Sequence, residues 1–170
     1  MCLSLPPITH LHARERPGIM VSNILYPLLI VEDSDEDFEI LQWALKKLSI
    51  KLPVYRCRDG DDALDFLYQR GVYQDAVNAP RPAIILLDLK LTATDGLEVL
   101  HTIKHDAQLK MIPVIVWTTS SDPKDIEISF KQGANSYMLK PMTLEKLLQA
   151  IELLNHYWFG IAVLPHSLET

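Results

Sequence analysis

The chain has little of what marks several large classes of protein. Two cysteines among 170 residues, Cys2 and Cys57, make neither a disulfide framework nor a metal knuckle, and they suit a reducing cytoplasm. No run of lysines or arginines occurs. The 16 basic residues are scattered and outnumbered by 22 acidic ones, for a net charge of −6. That balance excludes the basic footprint of a nucleic-acid-binding protein. The longest apolar stretches fall short of the roughly 20 residues that a membrane span needs. The N-terminus lacks the apolar segment that directs secretion. No glycine-rich turn follows the first apolar run, which argues against a dinucleotide site. There is no internal repeat and no low-complexity segment.

What is present is apolar material, 48% of the residues, enough for one core in one domain with modest tails. The strongest signal is Ala83-Ile84-Ile85-Leu86-Leu87-Asp88, an apolar run ending in one aspartate. Without polar alternation, such a run reads as a strand buried on both faces of a parallel sheet. Open α/β sheets place their chemistry at the carboxyl ends of the strands. Asp88 is therefore an acid delivered to the lip of the sheet, although alone it could equally end the strand and cap the next turn.

The rest of the chain repeats this pattern. Residues 26–31 form a second buried run that ends in Glu32-Asp33. Ser34 then caps a helix with Asp35, Glu36 and Asp37 in its first turn and Phe38, Leu41, Leu45 and Leu48 as its apolar stripe. Residues 53–58 alternate, as a strand near an edge does. Asp59-Gly60 is the turn after it, Ala63, Leu64, Phe66 and Leu67 mark a short second helix, and residues 70–82 make a polar connection that is long for its place. After Asp88, Leu97, Leu100 and Ile103 mark a third helix. Residues 113–118 are another strand, and Asp122-Pro123 and Gly133 bound a fourth helix. Residues 136–141 are the fifth strand. Thr143 caps the fifth helix, whose stripe is Leu144, Leu147, Leu148, Ile151 and Leu154. Strand and helix thus alternate at intervals of about 25–30 residues, the signature of a doubly wound parallel sheet.

Parallel strands bring Glu32, Asp33, Asp88, Thr118 and Lys140 to one edge. Carboxylates about 4 Å apart repel by about 4 kcal/mol at an effective dielectric near 20. A structural protein would avoid that, whereas a site for a hard divalent cation such as Mg²⁺ needs it. Lys140 and the Thr118 hydroxyl would then hold phosphate oxygens. This ensemble suits phosphoryl chemistry with Asp88 as nucleophile and with Mg²⁺ and Lys140 neutralising the developing charge.

Val31-Glu32-Asp33, Leu86-Leu87-Asp88 with Thr94-Asp95-Gly96, Thr118-Thr119, and Tyr137-Met138-Leu139-Lys140-Pro141 resemble the receiver domain of two-component response regulators. The resemblance spans residues ~26 to ~156. It implies a flavodoxin-like (βα)₅ fold with strand order 2-1-3-4-5, and a phosphoryl group passed to Asp88 from the phosphohistidine of a sensor histidine kinase. It further implies that Glu32, Asp33, Asp88 and the Lys90 carbonyl hold Mg²⁺. Thr118 and Tyr137 would be the switch residues, and Lys140 would precede a cis proline bond. On this view residues 1–23 are an extension (Met20 offering an alternative start), 24–157 the receiver domain and 158–170 a tail.

Two positions depart from the family pattern. Thr92 stands where the family has proline, and Lys90 places an ammonium beside the acyl phosphate, where it should alter the phosphate's lifetime. The long 70–82 loop and the closing segment from Tyr157 to Pro165 resemble the small regulators paired with cyanobacterial phytochromes. That narrower resemblance implies a phytochrome-like kinase and a homodimer joined through the fourth helix, fifth strand, fifth helix and tail. A downstream effector protein would read the phosphorylated state, with no enzymatic turnover beyond self-phosphorylation and slow autodephosphorylation. With only about 14 residues after the last helix, no output domain is expected, and neither nucleic acid nor membrane is an expected partner.

Plainer readings stand beside these. Tyr137 could be core packing, and so could Trp117, Trp158 and Phe159, although a tail after the last helix has little core left to fill, which favours an interface. His101 and His105 have metal-binding spacing but no third ligand, so a solvated helix face is favoured. An aspartate-nucleophile phosphohydrolase needs an acid where Lys90 stands. A phosphorylation-independent module of the same fold would have lost the nucleophile, an acid or the lysine, all of which are kept.

Overall fold

The computed structural model describes residues 26–75 and 79–165. The expected extension over 1–23 and the end of the tail, 166–170, lie outside the described residues. Five strands, β1 (Leu28–Val31), β2 (Val54–Cys57), β3 (Ile84–Leu87), β4 (Val114–Thr118) and β5 (Ser136–Leu139), alternate with α1 (Asp35–Lys47), α2 (Gly60–Leu67), α3 (Gly96–His105), α4 (Pro123–Lys131) and α5 (Leu144–Asn155). All strand pairs are parallel, in the order β2-β1-β3-β4-β5. This is the expected flavodoxin-like order. Among the described residues no helix is long and apolar enough to cross a membrane.

The unbroken apolar runs are explained by burial on both faces. Successive side chains of a strand point to opposite sides. Leu29, Val31, Ile85, Leu87 and Val116 therefore pack on one side with Phe66 of α2 and Val99, Leu100 and Ile103 of α3. Leu28, Ile30, Ile84, Leu86 and Ile115 pack on the other with Leu41 of α1 and Leu147, Ile151 and Leu154 of α5. The helix starts follow local chemistry. The side chains of Ser34, Asp122 and Thr143 accept from the backbone N–H groups of Asp37, Lys124 and Lys146. Gly133, at φ +97, ends α4 in the left-handed region that glycine enters without strain.

Two expectations are corrected. Leu144 does not belong to the buried stripe of α5: it is 54% exposed, because the first turn of the helix lies at the carboxyl edge, past the end of β5. The tail also has core left to fill. The chain continues from α5 as a π-helix, His156–Ile161. Trp158 and Phe159 pack on the α1/α5 side of the core, and Leu164 is buried there at 3% exposure. Tyr157, Ile161 and Val163 face outward.

The 70–82 connection is anchored from its first turn. Tyr73 lies edge-on to Phe66 and donates its hydroxyl to Asp62 Oδ1 at 2.8 Å, beside the buried thiol of Cys57. Burial pushes the Cys57 thiol well above its ordinary range, and the Asp62 charge adds to the effect. Above pH ~8.5 the unfolded chain sheds this proton while the folded chain keeps it, so stability falls by about 1.4 kcal/mol per pH unit from this group. Urea unfolding of the native chain and of Cys57→Ala should therefore converge between pH 8 and 10. Stability curves that stay parallel over that range count against it.

Candidate functional site at the carboxyl edge of the sheet

β3 delivers Asp88 to the lip of the sheet at 5% exposure, between β1, which Glu32 follows, and β4, which ends at Thr118. Glu32 is 1% exposed, and its Oε1 accepts from the Ser34 N–H at 3.2 Å. Lys140, just past β5, crosses the crevice. Its Nζ lies 2.7 Å from Glu32 Oε2, 2.6 Å from Asp88 Oδ2 and 2.6 Å from Asp37 Oδ2. The other Asp88 oxygen, Oδ1, accepts from the Lys90 backbone N–H at 3.0 Å.

Burial pushes the Glu32 carboxyl above the usual carboxylate range, and the Lys140 hydrogen bond and charge offset that only in part. Burial likewise opposes the charge on Lys140, but its hydrogen bonds to Asp37, Asp88 and Glu32 outweigh this and hold its pKa above the ordinary lysine value. One ammonium thus serves three carboxylates, and negative charge remains in surplus. That donor set, all oxygen and under-neutralised, fits a hard divalent cation. Among the described residues no group of three acids, histidines or cysteines stands placed to hold a metal ion; Glu32, Asp37 and Asp88 converge on the Lys140 ammonium.

The expected site residues are not all engaged alike. Asp33 is half-buried, and it is Asp37, not Asp33, that completes the carboxylates on Lys140. Thr118 is fully buried, and its hydroxyl oxygen accepts from the Ser120 N–H at 3.3 Å rather than meeting Asp88. The Tyr137 hydroxyl donates to the Ser120 carbonyl at 2.9 Å, and burial pushes its pKa up. The Lys140–Pro141 bond is trans, contrary to expectation. Trans is the intrinsically preferred form by about 0.5–1 kcal/mol, and Lys140 reaches all three acids from it.

Sequence reasoning missed three contributors. Asp37 was legible only as a helix-start acid, although its place three residues after the Ser34 cap turns it back toward the strand ends. Asp125 accepts from Ser120 Oγ at 2.5 Å and ties down the loop that Thr118 and Tyr137 both contact through Ser120. Arg56, on the edge strand, reaches the β1–α1 loop; its strand carried no signal that it would turn toward the site. On α3, the His101 and His105 rings stack 3.9 Å apart, and His105 Nδ1 meets the His101 carbonyl at 2.8 Å. This is the plain helix-face arrangement.

Gly96 sets the distance between α3 and the loop after Asp88. A Cβ there would stand 2.5 Å from Leu89 Cα and closer still to the Asp88 carbonyl oxygen. Both are backbone atoms that cannot swing aside. Gly96→Ala is expected to cost about 1–3 kcal/mol through forced displacement, read as a lower urea midpoint with an unchanged slope.

Comparison with known proteins agrees with this geometry. Residues 28–152 match the response regulator receiver domain family. The chain is 40% identical over 138 residues to the response regulator Rcp1 of Synechocystis sp. (strain ATCC 27184 / PCC 6803 / Kazusa), covering 81% of this chain and 92% of that protein. Its fold superposes on the Mn²⁺-bound form of Rcp1 with a TM-score of 0.75 at 39% identity, covering 82% of this chain and 99% of that one. For the phosphorylated cyanobacterial phytochrome response regulator RcpA the TM-score is 0.76 at 39% identity, covering 82% and 98%. The acidic crevice bridged by Lys140, on a sheet of this order, is therefore that of a response regulator receiver domain, and the chain belongs to that family, among relatives of the phytochrome response regulators.

Proposed function

We propose that the chain is a phosphorylation-operated switch in which Asp88 accepts a phosphoryl group from a histidine kinase. The observation that carries this reading is the contact between Lys140 Nζ and Asp88 Oδ2, 2.6 Å long in a crevice where Asp88 is almost fully buried. A carboxylate oxygen of Asp88 attacks phosphorus. The bond from phosphorus to the kinase's histidine nitrogen breaks, and that nitrogen keeps the electron pair. Lys140 neutralises charge gathering on the phosphoryl oxygens. Glu32, Asp33, Asp88 and the Lys90 carbonyl would hold Mg²⁺, which when bound supplies further positive charge to the same oxygens.

The readout runs through β4 and β5. Once Asp88 carries phosphate, the Thr118 hydroxyl turns from the Ser120 N–H to a phosphoryl oxygen. That frees the β4–α4 loop, and Tyr137, held by the Ser120 carbonyl, moves inward with it. The surface that changes is α4–β5–α5. It already carries an open groove of about 620 Å³ lined by Leu139, Met142, Ala150 and Leu153, and Tyr157 and Ile161 extend its exposed apolar character into the tail. A second copy of the chain fits that surface, and a downstream effector would read it. The likeness to Rcp1 and RcpA supports a phytochrome-like sensor kinase as the phosphoryl donor, and the free buried Cys57 suits a cytoplasmic setting. Domain limits of 24–157 for the receiver unit and 158–170 for the tail belong to the same reading.

The test is phosphorylation by acetyl phosphate in Mg²⁺, followed by intact mass and by size-exclusion mass with and without a beryllofluoride mimic. One hydroxylamine-labile phosphoryl group per chain is the expected result. Its absence overturns the phosphoacceptor role, and a monomer in both states overturns the homodimer.

A further inference from the structure

Arg56 takes no part in the chemistry above, yet it is tied to the loop that carries two of its acids. It stands on β2 opposite Ile30 of β1. Its Nε donates to the Glu32 carbonyl at 3.0 Å, one terminal nitrogen to the Asp33 carbonyl at 3.1 Å, and the other to Asp35 Oδ1 at 2.5 Å. The guanidinium lies over the Phe38 ring, 4.6 Å from its centroid.

These carbonyls belong to the point where the chain leaves the sheet. The Glu32 N–H still donates to the Cys57 carbonyl at 3.0 Å, but beyond it the ladder offers no donor to either oxygen. A half-buried carbonyl left without a partner is destabilising, and a planar fork can serve two neighbouring ones at once. A lysine, with its single point of charge, cannot. The charge itself works against a nearby dication, so the benefit of arginine here lies in geometry.

We infer that Arg56 is a positioning residue for the cation site: by holding the Glu32 and Asp33 carbonyls it sets the directions in which both carboxylates leave the backbone. This rests on the proposed reading that those acids hold a divalent cation.

The test titrates Mn²⁺ and Mg²⁺, each alone, into the full chain by calorimetry. Native protein is compared with Arg56→Lys, Arg56→Gln and Asp35→Asn, each held well below its own unfolding midpoint measured in chelator. Both Arg56 variants should bind about 10-fold more weakly or worse, the usual size of a change in the groups that orient metal ligands, with Lys no better than Gln. Asp35→Asn leaves both carbonyl bonds in place and removes only the ion pairs that the exposed Asp35 makes with Arg56 and Arg58, so its affinity should stay within about twofold. Native affinity in both Arg56 variants overturns the inference, and so does tighter binding in Arg56→Gln, which charge removal alone would produce. Should Arg56→Gln not fold, Arg56→Lys alone decides between these results. If the native chain binds neither ion, the proposed cation site falls first and the inference with it.

Discussion

Lys140→Met is expected to cost about 3–5 kcal/mol at neutral pH, the size of the loss when one partner of a buried ion pair is removed. Methionine fills much of the volume but leaves Glu32, Asp88 and Asp37 facing one another with no cation among them. Asp37 is over one-third exposed, so solvent screens its share and the loss centres on Glu32 and Asp88. Burial already holds the Glu32 carboxyl above the usual carboxylate range, and loss of the Lys140 hydrogen bond and charge that partly offset this would raise it further. With more protons bound folded than unfolded, stability falls as pH climbs from about 4 toward 7. The deficit of the variant should therefore be smaller at pH 5 than at pH 8. A divalent cation should restore part of it, because a ligand at 100 times its dissociation constant adds about 2.7 kcal/mol to the state it binds. Urea unfolding at both pH values, with and without Mg²⁺, checks all three statements. A variant as stable as the native chain at pH 8 without metal would show that the ammonium is not what holds the crevice together.

Asp88→Asn should reduce phosphoryl incorporation to background while leaving the fold standing. The amide oxygen is no nucleophile under these conditions, and no other carboxylate sits where a phosphoryl group would meet Lys140 together with the Lys90 N–H. The amide can serve either the Lys90 donor or the Lys140 ammonium, but not both through oxygen. One hydrogen bond is lost, about 1 kcal/mol, and one negative charge leaves an over-charged crevice, which offsets it. Intact-mass analysis after treatment with acetyl phosphate, alongside a melting curve, separates the two effects. Persistent modification at native stoichiometry would mean that another residue is the acceptor. Unfolding of the variant would instead give Asp88 a structural role that its contacts do not suggest.

Much of the fold was legible because the dominant signals are local. An unbroken apolar run can be satisfied only by cover on both faces, and β1, β3 and β4 have it. The same holds for the caps at Ser34, Asp122 and Thr143, where a side chain closes on an amide two or three residues away. The readings that failed depended on depth. Leu144 keeps the spacing of the α5 stripe but sits past the sheet's edge. The aromatics at 158 and 159 looked surplus to the core, yet the α1/α5 layer had room for them.

The candidate site divides along the same line. Chain order and strand polarity alone bring Asp88, Glu32, Thr118 and Lys140 to one edge, because parallel strands share their carboxyl ends whatever their side chains do. Which groups then touch is a matter of angles and reach. A lysine just past the fifth strand chooses Asp37 over Asp33, the threonine hydroxyl rests on Ser120, and an arginine from the outermost strand grips two carbonyls of the first loop. Periodicity carries no trace of those pairings: the lysine and arginine contacts join residues far apart in sequence, and the short Thr118–Ser120 contact depends on how the loop after the fourth strand has closed. The family pattern was therefore written in the chain itself, whereas the partners that aim and restrain Asp88 came only with the packed structure.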